Sequence, residues 1–280
     1  MIASFRAEAL KMRKRWANWI LLGVFLAFMV LLVYVIIYVA LTGSSRPVEG
    51  PIPASVLKRS TFPENLVPTV LDNSASIGAA IMIILGALST ASEYGWLTVQ
   101  TILIQRPGRT AVLLGKILAL AVTPVLVSIA VLASSAAISA VLVSVDGASS
   151  SWPSAATLLK GFGALVLELA VWTAFGMFLG LAFRSTAAAI GGGLTYLFVG
   201  EGLLGGLLLR NTPVAKEILK FLPGVSAGAV NTAFPLSFRN PNAPAPLVDA
   251  QRGVITLVAY LAVFTLLSIL IFRRREVAGG

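Results

Sequence analysis

The chain contains no cysteine and no histidine. That removes disulfide frameworks, thiol chemistry and the commonest transition-metal and acid–base ligands, so no metal site is expected. Charge is scarce too: Asp, Glu, Lys and Arg make up 11% of the 280 residues, against about 25% in an ordinary soluble domain. This shortage excludes a soluble globular fold. Apolar residues take the place of charge, with 58% hydrophobic residues and a mean hydropathy of +0.93. They come in runs, and roughly 18 consecutive apolar positions suffice to cross a bilayer. The net charge of +10 follows the basic bias of loops that flank membrane helices, so no nucleic-acid partner is expected.

Six spans emerge, at about 16–41, 76–92, 111–143, 158–183, 187–209 and 254–272. They form one transmembrane domain over residues 1–280. The first apolar run is longer than the core of a signal peptide and lacks a small-residue cleavage pattern, so it is expected to stay as a span. Orientation follows from Lys and Arg. Residues 1–15, 93–116, Arg184 and Arg273–Arg275 hold twelve basic residues against three acids, Glu8, Glu93 and Glu276. The opposite loops hold nine basic residues and six acids over a longer stretch. Both termini and the 93–116 segment are therefore expected in the cytosol, with the protein multi-pass in the cell (plasma) membrane.

The connecting segments are patterned. Pro47, Pro51, Pro53, Pro63 and Pro68 favour an extended, irregular path over 42–73. In 210–252, Pro213 suits a first helical turn, and apolar residues at 214, 215, 218, 219, 221 and 222 give a short helix one apolar face. At the N-terminus Phe5, Ala9, Met12 and Trp16 recur at helical spacing, with Arg6, Arg13 and Lys14 elsewhere around the helix. That pattern predicts an interfacial amphipathic helix leading into the first span, with membrane lipids as partners.

The 93–116 segment interrupts two apolar stretches. Leu97, Thr101 and Ile104, with Trp96, Val99, Ile102 and Leu103, give a short helix a broad apolar face. Glu93 suits the positive end of that helix, and Pro107-Gly108 ends it. Arg109 and Lys116, seven residues apart, fall on nearly one face of the next helix. The order Glu93, Gly95, Pro107, Arg109, Gly115-Lys116 resembles the signature segment of ABC-2-type transporter permeases. The six spans, basic lead-in helix, long last outer loop and Phe272-Arg273-Arg274-Arg275-Glu276 tail are similar to that family as well. Trp96 departs from it, since many members carry Thr there.

The resemblance implies a permease subunit of an ATP-binding cassette transporter, usually an exporter, working as a dimer with a second permease copy or a homologous permease. It makes the 93–116 insert a coupling helix seated in an ATPase subunit, present in two copies, through Glu93, Tyr94, Gly95, Trp96, Arg106, Pro107, Arg109 and Lys116. The sequence has no G-x-x-x-x-G-K-[ST] phosphate loop, so the chain itself is not expected to be an enzyme or to hold a cofactor. ATP and Mg2+ would bind the partner.

Two carboxylates, Glu168 and Glu201, fall inside spans, where charge is costly and faces protein or water. They are candidates for a translocation path, or else hydrogen-bonded carboxyls at helix contacts. They also keep open a secondary, ion-coupled transporter, although no 3+3 repeat is visible. A lipid-processing membrane enzyme would need a polar catalytic cluster near one interface, and none is present in the sequence. Gly191, Gly192, Gly193, Gly200 and Gly202 permit close helix approach and are candidates for a dimer interface. Gly176 and Gly180 are a second candidate.

Overall fold

In a computed structural model the described residues are 2–43, 54–95, 109–208, 212–236 and 245–275, and among them every regular element is a helix. We label these α1 (Ile2–Lys14), α2 (Trp16–Thr42), α3 (Ala54–Arg59), α4 (Pro63–Ser92, its last turn running to Gly95), α5 (Arg109–Asp146), α6 (Ala155–Phe183), α7 (Thr186–Gly205), α8 (Pro213–Leu219), α9 (Pro223–Asn231) and α10 (Ala250–Arg275). Six of them, α2, α4, α5, α6, α7 and α10, are long and apolar enough to cross a membrane.

The centre of the bundle is the pair α4 and α6, the two spans most buried by their neighbours. Small residues allow this. A Cβ added at Gly86 would lie 2.8 Å from the Met177 amide nitrogen and closer still to the Thr173 carbonyl. One added at Gly176 would lie 2.9 Å from Ile83 Cα and carbonyl carbon. Backbone meets backbone here, which only glycine permits in a helix pair. Gly180 faces Thr90 and the Ala87 carbonyl in the same seam, so the Gly176/Gly180 pair packs within the chain rather than between copies. Around this pair Trp172, Phe175, Tyr196 and Phe264 form an aromatic cluster joining α6, α7 and α10, with Phe175 and Phe264 centroids 5.0 Å apart.

The loop expected to be irregular over 42–73 is largely helical where it is described. Residues 54–59 form α3, and α4 starts at Pro63 rather than at 76. Pro47, Pro51 and Pro53 lie outside the described residues; Pro63 and Pro68 fit because Pro63 begins a 3-10 turn and Pro68 lies in the first turn of the α-helical stretch from Leu66. There a missing N–H leaves no bond broken. Burial of Leu66, Val67, Val70 and Leu71 holds the stretch against the bundle. A further tie at this end joins Tyr38, Lys58 and Asp146, with the tyrosine hydroxyl donating to the carboxylate at 3.3 Å and Lys58 paired to it.

Helix ends follow ordinary capping. Ser154 and Ser185 accept from the amides of Thr157 and Ala188 at the starts of α6 and α7. Arg184 ends α6 in the left-handed region, φ 53, a place glycine usually takes. This turns the chain into α7 within two residues. Asp249 caps α10 through the Arg252 amide at 2.7 Å.

Candidate functional site

Two polar clusters lie at opposite ends of this bundle. The first gathers where α1, the end of α4 and the start of α5 meet. Gly115 lets α1 close onto α5: a Cβ there would lie 2.7 Å from Ser4 Cβ and 2.8 Å from the Phe5 amide nitrogen. Lys116, one residue on, is 4% exposed. Its ammonium donates to the Ser89 carbonyl of α4 at 3.0 Å and pairs with Glu8 of α1 at 3.5 Å. Glu8 also holds Lys11 at 2.7 Å, and Arg15 donates to the Leu88 carbonyl at 3.1 Å.

Lys116 was expected on an outer face toward an ATPase, and the structure corrects this. The close approach over Gly115 covers it, so it joins three helices inside the chain. α1 forms the expected helix, with Trp16 the one residue of its apolar row that lies beyond its end. Its bundle-facing side includes buried Ser4 and Glu8 beside Phe5, Ala9 and Met12, whereas Trp16, expected on the apolar face, is 82% exposed. The chain breaks at Arg15, whose ψ of 113 is extended, and Trp16 then leads a new helix.

Glu93, Tyr94 and Gly95 complete the last turn of α4, and Arg109 opens α5. The side chains of Glu93, Tyr94 and Arg109 lie outside the described residues, as do Trp96, Arg106 and Pro107 entirely. The two arms of the interrupted segment thus leave the bundle from the end where α1 docks.

The second cluster surrounds α9. Glu168 sits mid-way along α6, roughly 20 Å from its start at 1.5 Å per residue, and is 1% exposed. With its amide oriented to satisfy both partners, Asn231 donates to Glu168 Oε1 at 2.6 Å and to the Ala227 carbonyl at 3.2 Å. Glu168 Oε2 has no hydrogen-bond partner among the described residues, and neither do Ser226 Oγ nor Ser74 Oγ. At the other end of α9, Glu201 Oε2 accepts from the Gly224 amide at 2.5 Å. This places a carboxylate at the positive end of a nine-residue helix. Any Cβ at Gly224 would collide with that carboxylate, so glycine is required for the approach. α9 is therefore held at its N-terminus by α7 and at its C-terminus by α6. Beside it a cavity of about 350 Å³ is lined by Glu201, Phe198, Ser76, Gly224 and Gly228 among others.

Glu168 and Glu201 thus converge on one helix without touching each other. The glycines of α7 divide. Gly193 is buried, and a Cβ on it would meet Ile83 Cγ2 at 2.5 Å, whereas Gly191 meets nothing and Gly202 is exposed. Sequence reasoning passed over Glu8, Gly224 and Asn231. Glu8 had a usable signal in its i,i+3 spacing to Lys11. Asn231 had a weaker one, as a lone amide closing a run of small residues. α8 keeps its apolar side outward, with Val214 and Ile218 exposed and only Leu219 buried.

Residues 63–278 match the model of a family described as a protein of unknown function, DUF2705. No curated protein matches the chain.

Proposed function

We propose, from the premise that this chain belongs to the DUF2705 family, that it is the membrane-spanning subunit of an ATP-driven transporter of the ABC-2 type. In this reading it works as an exporter, with its termini in the cytosol and its α9 end outward. A second permease copy, or a homologous permease, completes the membrane part. Two ATPase subunits bind ATP and Mg2+ and dock on residues 93–116.

The observation that carries this reading is the three-helix junction at Lys116. The insert joins α4 to α5 at the end where Lys116 and Arg15 tie α1 to α4 and α5. A displacement of residues 96–108 is thereby delivered to α4, α5 and α1 together. A coupling element needs this linkage, and a plain connecting loop does not. Lys116 acts here as a positioning residue, leaving Glu93, Tyr94, Trp96, Arg106 and Arg109 to face the ATPase. At the far end Glu168 and Glu201 hold α9 beside the cavity, where a moving span changes the opening of the path.

The test is purification of the tagged full chain from its own membranes, followed by identification of bound ATPase subunits and measurement of ATP hydrolysis. The expected result is a stoichiometric ATPase partner, lost in the Glu93→Ala/Arg109→Ala double variant. Substrate movement that follows an ion gradient, with no ATPase retained, would overturn it. That outcome would favour the ion-coupled alternative through Glu168 and Glu201.

A further inference from the structure

At the junction of α1 with the bundle lies a groove of about 430 Å³, floored by Phe25, Leu85 and Ala119 and walled by Met12, Leu22 and Leu126. Its roof is the elbow between α1 and α2. Asn18 donates to the Met12 carbonyl at 2.8 Å and Trp19 Nε1 to the Arg13 carbonyl at 2.7 Å. These side chains bond two carbonyls at the end of α1, which would otherwise need water or another partner. The bend is fixed, and with it the shape of the groove.

Three polar side chains line the groove: Arg13, Asn18 and Thr123. Asn18 is bonded within the elbow, and Thr123 donates to the Ala119 carbonyl at 3.0 Å. The Arg13 guanidinium alone among these side chains has no hydrogen bond or ion pair with a described residue, and it is exposed. Arg6 and Lys14 add exposed positive charge on the same helix, and the half-exposed Trp19 ring stands at the rim. A charge at the polar boundary, a tryptophan beside it and an apolar trough below match a phospholipid oriented headgroup-outward.

Charge favours a lipid over a neighbouring helix: the groove joins an apolar trough to the exposed Arg13 side chain, a pairing that an acyl chain with an anionic headgroup satisfies and an apolar span does not. Its volume is about 430 Å³. It is within the range of ligand pockets, roughly 300–1,000 Å³.

We propose that this groove binds one anionic phospholipid from the leaflet on the α1 side, with an acyl chain between α1, α2 and α5 and the phosphate at Arg13. Such a lipid fills the space under the elbow and fastens α1 to the bundle at the Lys116 junction. The site stands independently of any ATPase partner.

The full-length chain in detergent is titrated with phosphatidylglycerol or phosphatidylcholine, with bound lipids counted by native mass spectrometry. One tightly retained lipid is expected, with phosphatidylglycerol preferred. Arg13→Gln is expected to lower that preference about fivefold, the effect of one basic residue near an anionic surface. Val122→Trp, on the groove wall, is expected to displace the lipid whatever its headgroup. Arg6→Gln tests for general attraction, and a loss equal to that of Arg13→Gln would overturn the site. So would equal retention of the two lipids by the wild type. A change in oligomeric state with unchanged lipid retention in Val122→Trp would assign the groove to a second copy instead.

Discussion

Replacing Gly176 by alanine places one methyl group against backbone on the facing helix. The added carbon would lie 2.9 Å from Ile83 Cα and its carbonyl carbon, and closer still to the carbonyl oxygen. No side chain can swing aside, so α4 and α6 must separate along a seam that Gly86 keeps tight from the other side. Overpacking of this kind costs about 1–3 kcal/mol. The helix propensity gained over glycine, about 1 kcal/mol, offsets part of it. Gly163→Ala is the internal control, because it lies on the same helix with nothing within 4 Å of a new Cβ, and it gains propensity without the clash. Thermal unfolding in detergent, followed by loss of monodisperse protein, should rank Gly163→Ala at or above wild type. Gly176→Ala should fall below it. The Gly86→Ala/Gly176→Ala double variant should cost less than the sum of its parts, since the first separation accommodates both methyls. Equal stability for Gly163→Ala and Gly176→Ala would refute the reasoning, because the seam would then not be closed by backbone contact.

Three further outcomes follow from the two polar clusters. Lys116→Met removes the partner of Glu8 and the donor to Ser89, but Lys11 stays 2.7 Å from Glu8. The loss should be about 2 kcal/mol, below that of a fully buried broken pair, and Glu8→Gln/Lys116→Met should recover part of it in the same unfolding assay. Glu201→Ala leaves the Gly224 amide without its acceptor, a loss of about 1–3 kcal/mol, whereas Glu201→Gln keeps an acceptor and should lose less; hydrogen exchange over 223–231 reads the difference. Asn231→Leu strips Glu168 of its Oε1 donor, and Glu168→Leu/Asn231→Leu should be more stable than Asn231→Leu alone, because no orphaned carboxyl remains.

The spans were legible because hydrocarbon burial requires long apolar runs, and five of the six both begin and end within a few residues of where hydropathy puts them. α4 was the exception. Its first turns carry Pro63, Pro68 and Asp72, residues that read as loop until tertiary burial of Leu66 and Val70 outweighs them. The site was legible only in part. A carboxylate inside a span identifies itself, so Glu168 and Glu201 stood out in the sequence. Their partners did not, because Asn231 and the Gly224 amide come from a helix that joins them only in three dimensions. Lys116 misled for a related reason. Its spacing from Arg109 defines a helix face, but nothing in that spacing says whether α1 covers it.

The deeper reason lies in α7. From Tyr196 onward it is π-helical, a winding that runs past the end of the span to Leu208, with bonds that skip five residues rather than four. In an α-helix Leu197 would sit under Glu201. In the wider turn the residue beneath is Tyr196, which lies beside Glu201 and against Trp172 and Phe175. The π register is therefore what connects the aromatic cluster of α6 to the N-terminus of α9, through Tyr196 and then Glu201. Local rewinding of α7 to α-helical geometry would rotate Glu201 off Gly224 while leaving the glycine seam of α4 and α6 untouched. The close backbone seam thus resides in α4 and α6, and the contact that depends on helix register resides in α7. A reading based on 3.6-residue periodicity could find the first and not the second.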